Sequence, residues 1–143
     1  MNILHLENKF KIKANDCNIH IRGIVSANQI CKKIQESTMY IHPSYIDNSP
    51  NSICEAQMLG CPVIATNVGG IPSLIDNGVD GLLVPANDPY QMASLIKELH
   101  ENKTLQISIS NNAKIKAINR HDKSIITNQL LNIYKYIIND SIK

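Results

Sequence analysis

The sequence predicts an α/β fold in which a parallel sheet is flanked by helices, and three observations lead to it. Short apolar segments alternate with longer segments whose apolar residues recur at helical spacing. Glycine, proline and asparagine separate these segments, as expected of turns. Pro62–Ala65 is apolar throughout, which is typical of a strand buried on both faces in a parallel sheet. With 143 residues, 43% of them hydrophobic, the chain is expected to form one domain over residues 1–143.

The first part of the chain predicts a helix, a strand and a second helix. Apolar residues at helical spacing cover residues 1–13. Alternation of apolar and polar residues over 19–22 predicts a short strand that ends at Gly23. Ser26 is suited to cap a helix whose apolar face continues to Ile34.

A second strand and its following helix are predicted in the middle of the chain. The strand covers residues 39–42, and the loop that follows, as far as Pro50, is rich in turn formers. Asn51 or Ser52 then begins a helix, and Gly60 takes the position just after the helix end, where a left-handed backbone is common.

Two further strands and three helices complete the prediction. The strand Pro62–Ala65 is followed by a turn over 67–70 and a short helical segment from Pro72, and the fourth strand covers 81–84. Asp88, followed by proline, is a helix N-cap. Helices over about 103–119 and 122–138 end the chain. Strand and helix thus alternate four times, which predicts parallel strands with right-handed crossovers.

Composition and charge exclude several classes of function. The formal net charge is only +2, tryptophan is absent and there is one phenylalanine, so a nucleic-acid partner is not expected. No apolar segment approaches the ~18–20 residues of a membrane span. The four cysteines lack Cys-x-x-Cys spacing, and the histidines lack partners at ligand spacing. We therefore expect no metal site and no disulfides, but reduced thiols in a cytoplasmic protein.

Polar residues cluster in the loop after the second strand and at the start of its helix. In open parallel sheets, ligands bind at the carboxyl ends of the strands, and free N–H groups at a helix start suit a phosphate. Asp47 and Glu55 lie eight positions apart, so that two carboxylates can accept hydrogen bonds from vicinal hydroxyls of a sugar or ribose. The other polar residues of this segment are Ser44, Asn48, Ser49, Asn51 and Ser52.

Each of these features also has a structural interpretation. Asp47 can form an Asx turn within its own loop, and Glu55 can simply complement the helix dipole. Gly69 and Gly70 form either a tight turn or a close backbone approach to a ligand. His42 is either a catalytic residue or, more in keeping with its strand-end position, a hydrogen-bonded structural histidine.

Residues 41–85 resemble the C-terminal, donor-binding domain of GT-B glycosyltransferases of family 4, the glycosyl transferases group 1. The resemblance implies a Rossmann-like fold, the partial C-terminal half of a GT-B fold. The matching residues are Pro43-Ser44, Glu55-Ala56, Gly60-Cys61-Pro62-Val63-Ile64-Ala65-Thr66, Gly69-Gly70-Ile71-Pro72 and Asp80-Gly81-Leu82-Leu83-Val84. Asp88 and the helix after it continue the resemblance.

The resemblance assigns roles to the polar cluster. The E-x7-E motif of the family falls on Asp47 and Glu55. Asp47 is the catalytic position and would hold a hydroxyl of the donor sugar near the reacting carbon. Glu55 would bind the ribose hydroxyls. Aspartate in place of the first glutamate shortens the reach by about 1.5 Å. Ser73 stands where the family usually has glutamate. The resemblance also assigns donor binding to Ser44, to the loop amides of Asn48, Ser49, Asn51 and Ser52, and to Gly69 with Gly70. The backbone of Gly23, Ile24 and Val25 would lie against the base.

The implied reaction is retaining transfer of a sugar from a nucleoside diphosphate donor, such as a UDP- or GDP-sugar, without a metal or other cofactor. The chain resembles only part of such an enzyme, so we expect it to be inactive without an acceptor-binding N-terminal half. A separate chain can supply that half in a split enzyme, and any peripheral membrane association would come through it. The alternative function is a non-catalytic binding or interaction module that retains the fold.

Two structural expectations follow from the incomplete resemblance. If the strand order 3-2-1-4-5-6 applies, residues 19–22 and 39–42 are the third and fourth strands. We expect 19–22 either to pair directly with 39–42 or to stay loosely attached. The closing helix over 122–138 is expected to expose part of its apolar stripe and to promote self-association. Polysaccharide biosynthesis in the cytoplasm is the setting that the family suggests.

Overall fold

A computed structural model describes residues 9, 11, 13 and 17–140 of the chain. Contacts divide the chain into two compact units, Met1–Ile30 and Cys31–Lys143, and each is described by itself. The helix predicted over residues 1–13 lies, apart from three single positions, outside the described residues. The single-domain organisation stays a prediction.

In the first unit, the predicted strand over residues 19–22 is wrong. These residues form no regular structure, and Ile19 and Ile21 are about half exposed. Alternation is a pattern of side chains, whereas a strand also needs a neighbour to accept its backbone hydrogen bonds. The helix that follows, α1 (Ala27–Glu36), begins as predicted after Ser26. The Ser26 Oγ accepts the Gln29 N–H at 3.4 Å, and the Ser26 N–H donates to Gln29 Oε1 at 2.9 Å, which is a reciprocal cap.

The second unit contains a parallel sheet, as predicted, with three strands among residues 31–140. They are β1 (Tyr40–His42), β2 (Val63–Thr66) and β3 (Leu82–Val84), in the spatial order β1-β2-β3. Ile41 pairs with Ile64, which in turn pairs with Leu82. Within the described residues of this unit, β1 pairs only with β2.

The helices of the second unit follow the predicted capping signals closely. Asp88 accepts the Gln91 N–H at 2.8 Å, and Gly60 has φ +73° just after its helix. The helix predicted to begin at Asn51 or Ser52 begins at Asn51, directly after Pro50, and no side chain caps it. The helices are α2 (Asn51–Met58), α3 (Pro89–Glu101), α4 (Lys103–His121) and α5 (Lys123–Asp140), with a 3₁₀ turn at Ile71–Ser73.

The core lies on both faces of β2, and all four residues of this strand are buried. Val63 and Ala65 join one cluster with Ile53 of α2, and Ile64 joins the other with Leu99 of α3. The uninterrupted apolar pattern of this segment therefore reflects burial from both sides, as predicted. By contrast, α5 has no buried residue, so its apolar stripe is exposed as expected.

We expect Cys61 to make the stability of the fold depend on pH in the alkaline range. Burial raises the pKa of this thiol from 9.0 to about 11. The unfolded chain therefore loses its proton first, so this contribution is complete below pH ~9 and is lost as the pH rises to ~11. Two pKa units correspond to about 2–3 kcal/mol.

Urea unfolding of the wild type and of Cys61→Ala at pH 8.5 and pH 11 measures this effect. The wild type should lose about 2–3 kcal/mol more than the variant over this interval. Other groups that titrate here, such as Lys116, are common to both proteins. Equal losses in the two proteins would rule out the burial effect.

Candidate functional site

The loop over residues 43–50 connects β1 to α2 and leaves the sheet at the carboxyl end of β1. Its first residues are held by the neighbouring strand, because the Thr66 Oγ1 donates to the Ser44 carbonyl at 2.5 Å. The Ser44 Oγ in turn donates to the Ile46 carbonyl at 3.0 Å. The structure thus places the predicted polar cluster at the sheet edge where parallel sheets bind ligands.

Asp47 is bound to the end of the strand rather than to its own loop. Its Oδ2 lies 3.1 Å from the His42 Nε2, and since an ionised carboxylate only accepts, that nitrogen donates its N–H. The Asp47 side chain is 29% exposed, and Oδ1 accepts no hydrogen bond from the described part of the chain. The Asx-turn interpretation of Asp47 is therefore wrong. The structure leaves one carboxylate oxygen open at the sheet edge.

Gly69 and Gly70 form a tight turn against which the loop packs. The Gly70 N–H donates to the Asp47 carbonyl at 3.1 Å. A Cβ at Gly69 would overlap the Asp47 carbonyl, and one at Gly70 would overlap the carbonyl of Asn48. The close backbone approach that these glycines permit is therefore that of the chain's own loop. Their contact with a donor stays a prediction.

The first turn of α2 presents backbone N–H groups at the same edge. Pro50 is buried and has no N–H, and its carbonyl accepts the Ile53 N–H at 3.1 Å. The amides of Asn51 and Ser52 lack intrahelical acceptors, as in the first turn of any helix. No side chain caps this helix, so these two amides are available to an anion. Asn48 and Ser49, which precede them, are exposed.

Glu55 lies on the solvent-facing side of α2, four residues after Asn51 and therefore on the same helix face. The opposite face, which contains Ile53 and Ala56, is buried in the core. Glu55 is the fifth of the eight residues of α2, just beyond the first turn of the helix. The predicted pairing of its carboxylate with that of Asp47, and the roles of both acids toward a ligand, stay predictions.

The residues predicted to lie against a base belong to the first unit. Gly23, Ile24 and Val25 are exposed there, and their role stays a prediction. The basic residues Lys32 and Lys33 lie on α1, where both approach Glu36, at 3.9 and 2.8 Å. Such exposed pairs contribute little to stability.

A cavity of about 280 Å³, which the sequence did not predict, lies at the carboxyl ends of β1, β2 and β3. The cavity is lined by Thr66, the last residue of β2, and by Pro85, which follows β3. Their positions at strand ends are the sequence signal that could have revealed the cavity. The remaining principal lining residues are Pro43, Tyr45, Asn87 and Met92.

The sequence matches the family described as glycosyl transferases group 1 over residues 4–102. The chain belongs to this family. The parallel sheet with flanking helices and the family match confirm the predicted Rossmann-like α/β fold and the identification with the C-terminal domain of GT-B glycosyltransferases. Among residues 17–140, no helix is both long enough and apolar enough to cross a membrane.

Relatives of known activity match the chain over only part of their own length. The N,N'-diacetylbacillosaminyl-diphospho-undecaprenol alpha-1,3-N-acetylgalactosaminyltransferase of Campylobacter jejuni is 26% identical over 87% of this chain and 32% of its own. The UDP-Gal:alpha-D-GlcNAc-diphosphoundecaprenol alpha-1,3-galactosyltransferase of Escherichia coli is 32% identical over 64% of this chain and 24% of its own. The crystal structure of Anabaena Alr3699/HepE with UDP and glucose has a TM-score of 0.71, with 25% identity over 82% of this chain and 32% of that one. The chain therefore spans about a third or less of these proteins.

Proposed function

We propose that this chain is the donor-binding part of a retaining glycosyltransferase, which transfers a sugar from a nucleoside diphosphate to an acceptor. The observation that carries the proposal is the open Asp47 oxygen at the carboxyl edge of a parallel sheet, in a member of this family. The helix that follows the same loop carries Glu55, which is exposed. The complexes of HepE with UDP-glucose and with UDP and glucose support a nucleotide-sugar ligand.

Each element of the site then has a task in binding the donor. The open oxygen of Asp47 accepts a hydroxyl of the sugar, and Glu55 accepts the ribose hydroxyls. The amides of Asn51 and Ser52, at the positive end of the α2 dipole, face the diphosphate. As the bond to the sugar breaks, negative charge grows on the diphosphate, and fixed dipoles at this position stabilise it. We propose that the reaction uses these groups without a metal or another cofactor.

Transfer also needs an acceptor-binding part, which we propose is supplied by further sequence or by a separate chain. The exposed apolar residues of α5 offer a surface for such a part, and also for self-association. The names of the relatives support lipid-linked or polysaccharide assembly as the setting. We propose the cytoplasm as its location.

A second candidate, a non-catalytic module that binds nucleotide sugars, is favoured by one observation. Aspartate at position 47 is shorter than the glutamate typical of the motif, and a misplacement of about 1 Å can reduce the rate ~100-fold. Binding alone is less sensitive to this distance. Turnover after addition of an acceptor-binding partner distinguishes the two candidates.

We expect Glu55→Ala to weaken binding of UDP or GDP about tenfold or more, because hydrogen bonds to a charged acceptor contribute roughly 1.5–3 kcal/mol. Isothermal titration calorimetry measures this, with Glu98→Ala on an exposed position of α3 as the matched control. The 2′-deoxynucleotide should bind the wild type more weakly than the ribonucleotide, while Glu55→Ala should not distinguish the two. Undiminished affinity in Glu55→Ala would contradict the ribose assignment.

A further inference from the structure

We propose that His42 is a positioning residue, which orients the carboxylate of Asp47 toward the donor sugar. This inference rests on the proposed function and deepens it. It names the side chain that sets how much the sugar adds to the affinity for the nucleotide-sugar donor. His42 itself contacts neither the nucleotide nor the sugar in this proposal. Its action is exerted through the single hydrogen bond from Nε2 to Asp47 Oδ2.

The imidazole of His42 is a firmly held donor. The residue ends β1, where it pairs with Ala65, and its carbonyl lies 3.4 Å from the Thr66 Oγ1. Its ring is stacked on that of Tyr40, with 6.3 Å between centroids and 28° between planes. The side chain is only 16% exposed. A ring packed in this way can orient a flexible partner, because it has little freedom to follow that partner.

Asp47, by contrast, lies in a loop and depends on others for its orientation. Among residues 17–140, two hydrogen bonds hold it: its carbonyl accepts the Gly70 N–H, and its Oδ2 accepts the His42 N–H. The aspartate side chain has only two rotatable bonds, so fixing the backbone and one carboxylate oxygen determines the position of the other. Oδ1 is therefore directed to one place, and a sugar hydroxyl meets an acceptor that is already oriented.

Loss of the His42 imidazole should therefore reduce only the part of the binding affinity that the sugar contributes. Without the imidazole N–H, the Asp47 carboxylate can rotate, and the sugar hydroxyl must order it on binding. Glu55 and the amides of α2 lie on another element, and their contacts with the nucleotide do not pass through His42. A purely structural histidine, in contrast, would affect the nucleotide and the sugar together.

Calorimetry on the full chain tests this with UDP and UDP-glucose, and with GDP and GDP-mannose. The variants are His42→Phe, which keeps a ring without a donor, and His42→Gln, whose amide N–H can replace the Nε2–H. We expect His42→Phe to bind the free diphosphate like the wild type but to lose about fivefold or more of the added affinity for the nucleotide sugar. His42→Gln should recover most of it, and His42→Phe should have no further effect in an Asp47→Ala background.

The outcomes separate this inference from the proposed function. Equal weakening of diphosphate and nucleotide-sugar binding, or no change, overturns the positioning role while the function stands. A wild type that binds no nucleotide overturns both. If His42→Phe does not fold, His42→Gln is compared with His42→Asn, whose shorter amide does not reach Asp47. The quantity compared is the affinity for the nucleotide sugar divided by that for the free diphosphate. Equal values of this ratio in the two variants overturn the inference.

Discussion

Gly70→Ala should destabilise the protein by about 3 kcal/mol, the upper part of the usual range for overpacking. The backbone at Gly70 has φ −90° and ψ −1°, values that most residues adopt in type I turns, so the cost comes from lack of space. The new Cβ would overlap the Asn48 carbonyl, and the loop must move away. That movement breaks the hydrogen bond from Gly70 to Asp47 and displaces the carboxylate. Weaker binding of the nucleotide sugar is therefore expected as well.

Urea unfolding and calorimetry of the same preparation measure the two effects. Gly78→Ala is the matched control for backbone strain, because Gly78 has φ +79° and open space around its Cα. We expect it to lose about 1–2 kcal/mol, the cost of a left-handed backbone at alanine, and to keep donor affinity. A Gly70→Ala protein as stable as the wild type would show that the loop does not pack here as described.

Lys116→Met should cost about 2–3 kcal/mol of stability, because it leaves a buried carboxylate without its counter-ion. The Lys116 Nζ lies 2.6 Å from Asp80 Oδ2 and 2.7 Å from Asp76 Oδ2. Asp80 is only 2% exposed at its side chain, whereas Lys116 is 31% exposed, so the expected loss lies below that of a fully buried pair. Burial alone would lower the pKa of Lys116, but its hydrogen bonds to Asp76 and Asp80, together with their charges, raise it.

The measurement is again the free energy of unfolding at neutral pH. Lys97→Met, at an exposed position of α3, is the control and should change it by less than about 0.5 kcal/mol. A loss in Lys116→Met no greater than in this control would mean that the ion pair makes no net contribution. Donor binding should be unchanged in the Lys116 variant, because the proposed site lies on other loops.

Contacts between residues close in sequence account for the successes of the sequence analysis. The caps at Ser26 and Asp88 were predicted because a side chain and an N–H three residues later meet in any helix start. Gly60 was predicted because the turn after a helix needs a left-handed residue. The alternation at residues 19–22 is a pattern of the same kind, but it failed because a strand requires a neighbouring chain segment.

The sequence by itself determined the family, the parallel sheet around Val63–Thr66 and the segment that carries Asp47 and Glu55, because motif spacing and apolar periodicity are written along the chain. Only the tertiary structure decided that Asp47 is held by His42, that Gly70 supports the loop, and that Lys116 neutralises Asp80. The last two depend on how the chain folds back on itself, because Gly70 lies 23 positions after Asp47 and Lys116 lies 36 positions after Asp80. His42 and Asp47 are only five positions apart, but they meet because the loop after β1 brings the carboxylate back to the end of the strand. Burial then makes the choice of partner energetically decisive.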